Sequence, residues 1–251
     1  MLKKFFRYAG ISIAVLMVLG FAWLEYSTNK NEAVPGELAI AAMTSNEFVD
    51  IQDRDWLVMK PKIGKVTTGL IIYPGANCNI KGYAPLMREI AAKGYLVVGM
   101  PMPYNFAFLA PNSAAKAPKS FPEIKNWFLA GHSLGGAMAS TFAASNEGML
   151  SGLIMWDSYP AISLADSTLP ITSIFRATLE GEQPENFKDF VNFYPTDATW
   201  VPVPGGIHMY FGSFIGGSYK ELWKPKISIQ QQHRIVIDAT LNAIKSAISS
   251  E

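Results

Sequence analysis

The sequence predicts an α/β fold, a mostly parallel sheet covered by helices, and three observations carry that prediction. Short apolar runs alternate with helical patterns along the chain, which is the order a parallel sheet requires. Several of those runs are apolar throughout, as strands buried on both faces are. One of them, Trp127-Phe128-Leu129-Ala130, leads straight into Gly131-His132-Ser133-Leu134-Gly135. That pentapeptide fits G-x-S-x-G, which lifts a serine onto a sharp strand-to-helix turn.

The elements follow in order. Phe48–Ile51 and Trp56–Met59 read as an early antiparallel pair, and Gly69-Leu70-Ile71-Ile72-Tyr73 as a buried strand stopped by Pro74-Gly75. Tyr83 to Lys93 is helical, with Leu86, Ile90 and Ala91 on its apolar side and Gly94 as its stop. Tyr95–Met100 is the next strand. After the serine turn, Gly136 to Ala144 is small and apolar, suited to a helix packed closely on the sheet. Leu153–Trp156, Ile171–Phe175 and Thr199–Val203 complete the strands, the last placed at an edge by Pro202. Too few residues separate Trp156 from Ile171 for more than a short lid. Ile229 to Ile248 closes the chain as an amphipathic helix.

Composition sets limits on function. The chain has 251 residues, 49% of them hydrophobic, enough for one full-sized domain. A formal net charge of +1 with scattered Lys and Arg gives no basic face for nucleic acid. The single cysteine, Cys78, excludes an intrachain disulfide and a cysteine-built metal site.

The N-terminus carries its own signal. Lys3, Lys4 and Arg7 precede Tyr8 to Leu24, 17 residues without a charge. No A-x-A site follows, and Trp23 and Tyr26 stand where interfacial aromatics would. Residues 1–26 therefore read as an uncleaved signal-anchor, single-pass, with the catalytic domain outside the cytoplasm; a cleaved signal and secretion is the alternative. Residues 27–37 read as a polar linker and 38–251 as the folded domain.

A serine hydroxyl needs a base, usually a histidine held by a carboxylate. Elbow serines take these in chain order serine, acid, histidine. Of the three histidines, His132 adjoins the serine and points away from it, and His233 reads as a solvated or helix-face residue. His208, in the loop Pro204-Gly205-Gly206-Ile207-His208, is the candidate base. Two carboxylates follow sheet strands: Glu180 in Ala177-Thr178-Leu179-Glu180-Gly181, and Asp157 after Trp156. Glu180 is preferred, because its loop is the commoner source, and Asp157 is the runner-up. The oxyanion donors expected are the backbone N–H groups of Leu134 and of Ala76, in Tyr73-Pro74-Gly75-Ala76-Asn77.

Taken together, Ile72–Ala76, Met100-Pro101-Met102-Pro103 with Asn105, Gly131–Gly136, and Gly205–His208 with Phe211-Gly212 resemble the α/β-hydrolase superfamily. The likeness is to its small, cap-poor branch related to dienelactone hydrolases. The resemblance implies an eight-stranded sheet and serine ester-type hydrolysis of a small acyl substrate, with no metal or organic cofactor. The pattern departs at three places. Ser133 stands where dienelactone hydrolases carry cysteine, Glu180 where aspartate is usual, and Ile207 where a polar residue often precedes the histidine. The function expected is a membrane-anchored serine hydrolase. The alternatives are a tethered binding protein that keeps the fold without catalysis, and acyl transfer or peptidase action with the same residues.

Overall fold

The computed structural model describes residues 18–20, 22 and 25–249. Its centre is an eight-stranded sheet in the order β2-β3-β5-β4-β6-β7-β8-β9. The strands are β2 Val49–Asp53, β3 Leu57–Pro61, β4 Thr68–Tyr73, β5 Leu96–Gly99, β6 Asn126–His132, β7 Gly152–Trp156, β8 Ile171–Ala177 and β9 Thr199–Pro204. β2 and β3 pair antiparallel, as do β3 and β5, and every other pair is parallel. The Pro202 strand lies at the sheet edge, as its missing N–H requires.

The apolar runs explain the layers. Along β4, Leu70 and Ile72 point into one core, with Leu86 and Ile90 of α2 (Ala84–Ala92) and Val236 and Ile244 of α6 (Ile229–Ser249). Ile71 and Tyr73 point into the other, against Phe142 and Ala143 of α4 (Leu134–Ser145). A strand that feeds two cores cannot alternate polar with apolar residues. Trp156 Nε1–H donates to Thr240 Oγ1 at 3.1 Å, satisfying the one polar atom of a fully buried indole and tying β7 to α6. The remaining helices are short: α1 Glu37–Ala42, α3 Ala117–Ser120 and α5 Glu185–Lys188.

One element was not foreseen. Ala33–Pro35 (β1) pairs antiparallel with Phe214–Gly216 (β10), forming a two-stranded sheet of its own. Residues expected as a polar linker are thus bound to the body. Among the described residues no helix is long and apolar enough to cross a membrane. The run Tyr8–Leu24, expected as a signal-anchor, lies mostly outside the described residues.

Because β4, β6, β7, β8 and β9 run parallel, their last residues share one edge of the sheet. Brought there together are the Pro74–Cys78 loop, Ser133, Asp157, Arg176 and His208, in keeping with where ligands bind an open α/β sheet.

Candidate active site

Ser133 sits between β6 and α4 with φ 51° and ψ −124°, a conformation L-residues adopt only under constraint. The flanking glycines supply that constraint by letting backbones touch. A Cβ on Gly131 would lie 2.5 Å from Gly135, and one on Gly135 would lie 2.4 Å from the carbonyl oxygens of Tyr73 and Pro74. Ser158 Oγ–H donates to the Ser133 carbonyl at 2.6 Å, and the Ser133 N–H to Trp156 O at 3.1 Å. The turn is held from both sides.

Among the described residues, two N–H groups near the serine have no hydrogen-bond acceptor. Leu134 opens α4, so its N–H has no acceptor within the helix. In the facing loop the Gly75 N–H donates to Tyr83 Oη (2.9 Å), that of Asn77 to Asn105 O (2.9 Å), and that of Cys78 to Gly75 O (3.1 Å). The N–H of Ala76 is left without a protein acceptor among the described residues.

His208 is buried, and its Nδ1 lies 2.5 Å from Asp157 Oδ2. Glu180 is solvent-exposed on the turn after β8, so the carboxylate that meets His208 is not the preferred one but the runner-up, Asp157. Asp157 has φ 46°, a left-handed conformation that aspartate tolerates better than most residues. Its Oδ1 accepts from the Arg176 N–H at 3.0 Å. Burial alone would raise the Asp157 carboxyl. The hydrogen bond and charge of His208, with the guanidinium of Arg176, outweigh it and hold the group below the usual carboxylate range.

Arg176 is the residue that sequence reasoning missed. It is 3% exposed, its Nη1 donates to the same Asp157 Oδ2 that faces His208, and Nη1 lies 2.9 Å from His208 Nδ1. Two donors share one oxygen. A signal was present, since Ile171-Thr172-Ser173-Ile174-Phe175-Arg176-Ala177 ends an apolar strand on an arginine, and a buried charge demands a partner. Arg176→Met is expected to lower the unfolding free energy by about 3 kcal/mol, because it strands the buried Asp157 charge. In urea unfolding, the double variant Arg176→Met/Asp157→Asn should recover part of that loss. Strictly additive losses would show that the two do not interact.

The loop bearing His208 is pinned at several points. Glu221 accepts from the N–H groups of His208 (3.0 Å) and Met209 (2.7 Å), and Trp223 Nε1–H donates to Gly206 O (2.7 Å). Gln232 clamps Ile207 through both its N–H and its carbonyl. The apolar Ile207 is buried there, so this loop is held through its backbone rather than by a polar side chain at position 207. The imidazole lies between His132 and Tyr219, at ring distances of 4.4 and 4.0 Å.

The other two histidines are structural. His132 is fully buried, with Nδ1 2.8 Å from Tyr83 Oη, and burial drives its pKa well below the usual value. His233, expected on the last helix as a solvated or helix-face residue, is buried 3.1 Å from Gly212 O, and burial lowers its pKa too. Cys78 borders the same site, but burial pushes its thiol up to about 12, which leaves it protonated and a poor nucleophile.

Two clefts meet at Ser133. One, about 320 Å³, lies between the Ala76 loop and residues Gly217–Lys220 and also touches Asn31 and Ala33. The other, about 360 Å³, is walled by Leu134, Ala137, Tyr159, Phe187 and Tyr219. A larger groove of about 760 Å³ lies between α6 and the first residues of β8 and β9, at the opposite sheet edge. It holds no part of this constellation. Among the described residues no group of His, Cys, Asp and Glu is placed to hold a metal ion.

A model of the Alpha/beta hydrolase family matches residues 69–234, about two thirds of the chain. No curated protein sequence matches it. Solved structures share the fold at low identity. Est1E from Butyrivibrio proteoclasticus with ferulic acid bound is 14% identical, with TM-score 0.56, covering 78% of this chain and 96% of that one. A soluble variant of monoglyceride lipase from Saccharomyces cerevisiae, in complex with a substrate analog, is 12% identical, with TM-score 0.53, covering 81% and 96%. TT1662 from Thermus thermophilus is 14% identical, with TM-score 0.51, covering 78% and 98%.

Proposed function

Because the chain belongs to the alpha/beta hydrolase family, we propose that it is a membrane-anchored serine hydrolase cleaving an ester or related acyl bond. One observation carries this reading: a strained elbow serine and a histidine bound to a buried aspartate border the same clefts. The bound ligands named for two neighbours, ferulic acid and a lipase substrate analog, are consistent with acyl chemistry.

In this reading Ser133 Oγ attacks the carbonyl carbon while its proton passes to His208 Nε2. Asp157 holds the imidazole through Nδ1–H and stabilises the imidazolium that forms. The N–H groups of Ala76 and Leu134 carry the oxyanion, the latter helped by the positive end of α4. When the bond to the leaving alcohol breaks, His208 returns the proton to it. Water then attacks the acyl-enzyme, again giving its proton to His208, and the acid leaves as Ser133 regains its hydroxyl. The anchor is inferred from Lys3, Lys4 and Arg7 followed by the uncharged Tyr8–Leu24 run.

The test is a panel of acyl esters of graded chain length with the full chain, alongside a fluorophosphonate probe. Turnover is expected, with the probe adduct recovered on the peptide that contains Ser133. Folded wild type that neither turns over an ester nor takes the probe would favour a non-catalytic binding role. Products formed with and without an added acceptor alcohol separate hydrolysis from acyl transfer.

A further inference from the structure

The chain between the uncharged N-terminal run and the folded body is bound at the site itself. Residues 25–30 are helical, and Asn77 of the oxyanion loop donates through Nδ2 to the carbonyl of Thr28 at 3.0 Å. Ala33 then lies along that loop, its N–H on Asn77 O (2.9 Å) and its carbonyl accepting from the Asn79 N–H (3.0 Å). Glu32 Oε1 accepts from both Asn79 Nδ2 (2.8 Å) and Asn105 Nδ2 (3.0 Å). Residues 28–35 are a strap across the loop that carries Ala76. At 1.5 Å per residue, the helical residues 25–30 and the turn at Asn31 that follows them span only about 10 Å. Asn31 already lines the cleft beside Ser133. Glu25, the residue that follows the uncharged run, therefore stands within roughly 10 Å of the mouth of the site.

The surface around that mouth has the composition of a lipid-facing one. Cross-strand partners Val34 and Ile215 on the strap sheet are both exposed, Ile215 to 56%. The segment that follows β10 flanks the same cleft and carries Leu222, 59% exposed, beside the exposed Lys220, Lys224 and Lys226. Glu221, its one carboxylate, is turned inward onto the N–H groups of His208 and Met209. Exposed aliphatic side chains interleaved with lysines suit the headgroup level of an anionic bilayer.

We propose that this rim is held against an anionic lipid surface, and that the ester is an amphiphile taken from that surface rather than from bulk water. The proposal rests on the anchored-hydrolase reading above. It adds an orientation: the anchor enters the bilayer beside the site, and the strap keeps the cleft facing the lipid. A free linker as long as the strap would leave the site facing any direction; this one does not.

The test uses the full chain reconstituted in phosphatidylcholine vesicles, with or without phosphatidylglycerol. Rates are compared for a short water-soluble ester and a long-chain acyl ester dispersed in the same vesicles. The variant Ile215→Ser/Leu222→Ser/Lys224→Gln/Lys226→Gln is expected to keep its rate on the soluble ester. On the vesicle-borne ester it should lose about tenfold or more, chiefly where phosphatidylglycerol is present. The pair Lys224→Glu/Lys226→Glu, at exposed positions only, should show the same selective loss should the fourfold variant fail to fold. Equal losses on both substrates, or none on either, would overturn the lipid-facing rim and leave the hydrolase reading standing. Wild type that turns over the soluble ester but does not remain with the vesicles would overturn the rim and the anchor together. Wild type inactive on both esters would instead remove the hydrolase reading on which this one rests.

Discussion

Ser133→Ala is expected to lower kcat on any ester the wild type hydrolyses by roughly 10⁶-fold, the scale seen when a hydrolase serine is removed. It should also abolish fluorophosphonate labelling. The fold should barely notice. Alanine carries the same Cβ as serine, so the positive φ of 51° is no more strained in the variant. Among the described residues the Ser133 hydroxyl makes no hydrogen bond that the change would break. What disappears is the oxygen proposed to form the acyl-enzyme. Residual activity over water, on the order of 10³-fold, would remain from the oxyanion donors and binding alone. Turnover within tenfold of wild type, or labelling that persists in Ser133→Ala, would show that another nucleophile does the work. Cys78 borders the same cleft, and its buried thiol argues against that role for it.

Much of this site could be read before the fold was known, and the reasons are local. Gly131 and Gly135 stand in the sequence because a Cβ at either would come within about 2.5 Å of neighbouring backbone atoms, so steric need is written as a pattern. The sheet was legible because β4, β6 and β7 are buried on both faces and read as unbroken apolar runs. His208 emerged by elimination from three candidates, and the structure gives both other imidazoles buried hydrogen-bonded places. The acid was different. Asp157 and Glu180 both follow strands, and no spacing rule tells which one turns inward. Asp157 turns inward through its left-handed backbone and the grip of Arg176, both set by tertiary packing. The strap was illegible for a related reason. β1 is three residues long and finds its partner at Phe214–Gly216, far along the chain, so neither periodicity nor a turn signal announces it. Composition alone made the same residues look like a linker.

The choice between the two carboxylates gives the second large effect. Asp157→Asn is expected to cost about 10⁴-fold in kcat, whereas Glu180→Ala should stay within about twofold of wild type. Asparagine is nearly isosteric with aspartate, but its amide can donate to His208 Nδ1 and so favour the tautomer with the proton on Nε2. That tautomer cannot take the Ser133 proton. It also offers no charge to offset the imidazolium that forms as Oγ attacks. Here the loss carries a second component, because Arg176 Nη1 shares the oxygen that is replaced. Without the Asp157 charge, the guanidinium would repel the nascent imidazolium with nothing between them. Removing that repulsion as well should give some rate back, so Asp157→Asn/Arg176→Met should turn over faster than Asp157→Asn, provided both fold. Glu180, exposed on the turn after β8, has no such coupling to lose. A larger loss for Glu180→Ala than for Asp157→Asn, measured on folded protein, would return the acid role to the loop that sequence order favoured. It would also mean that the Asp157–His208 contact opens before substrate reacts.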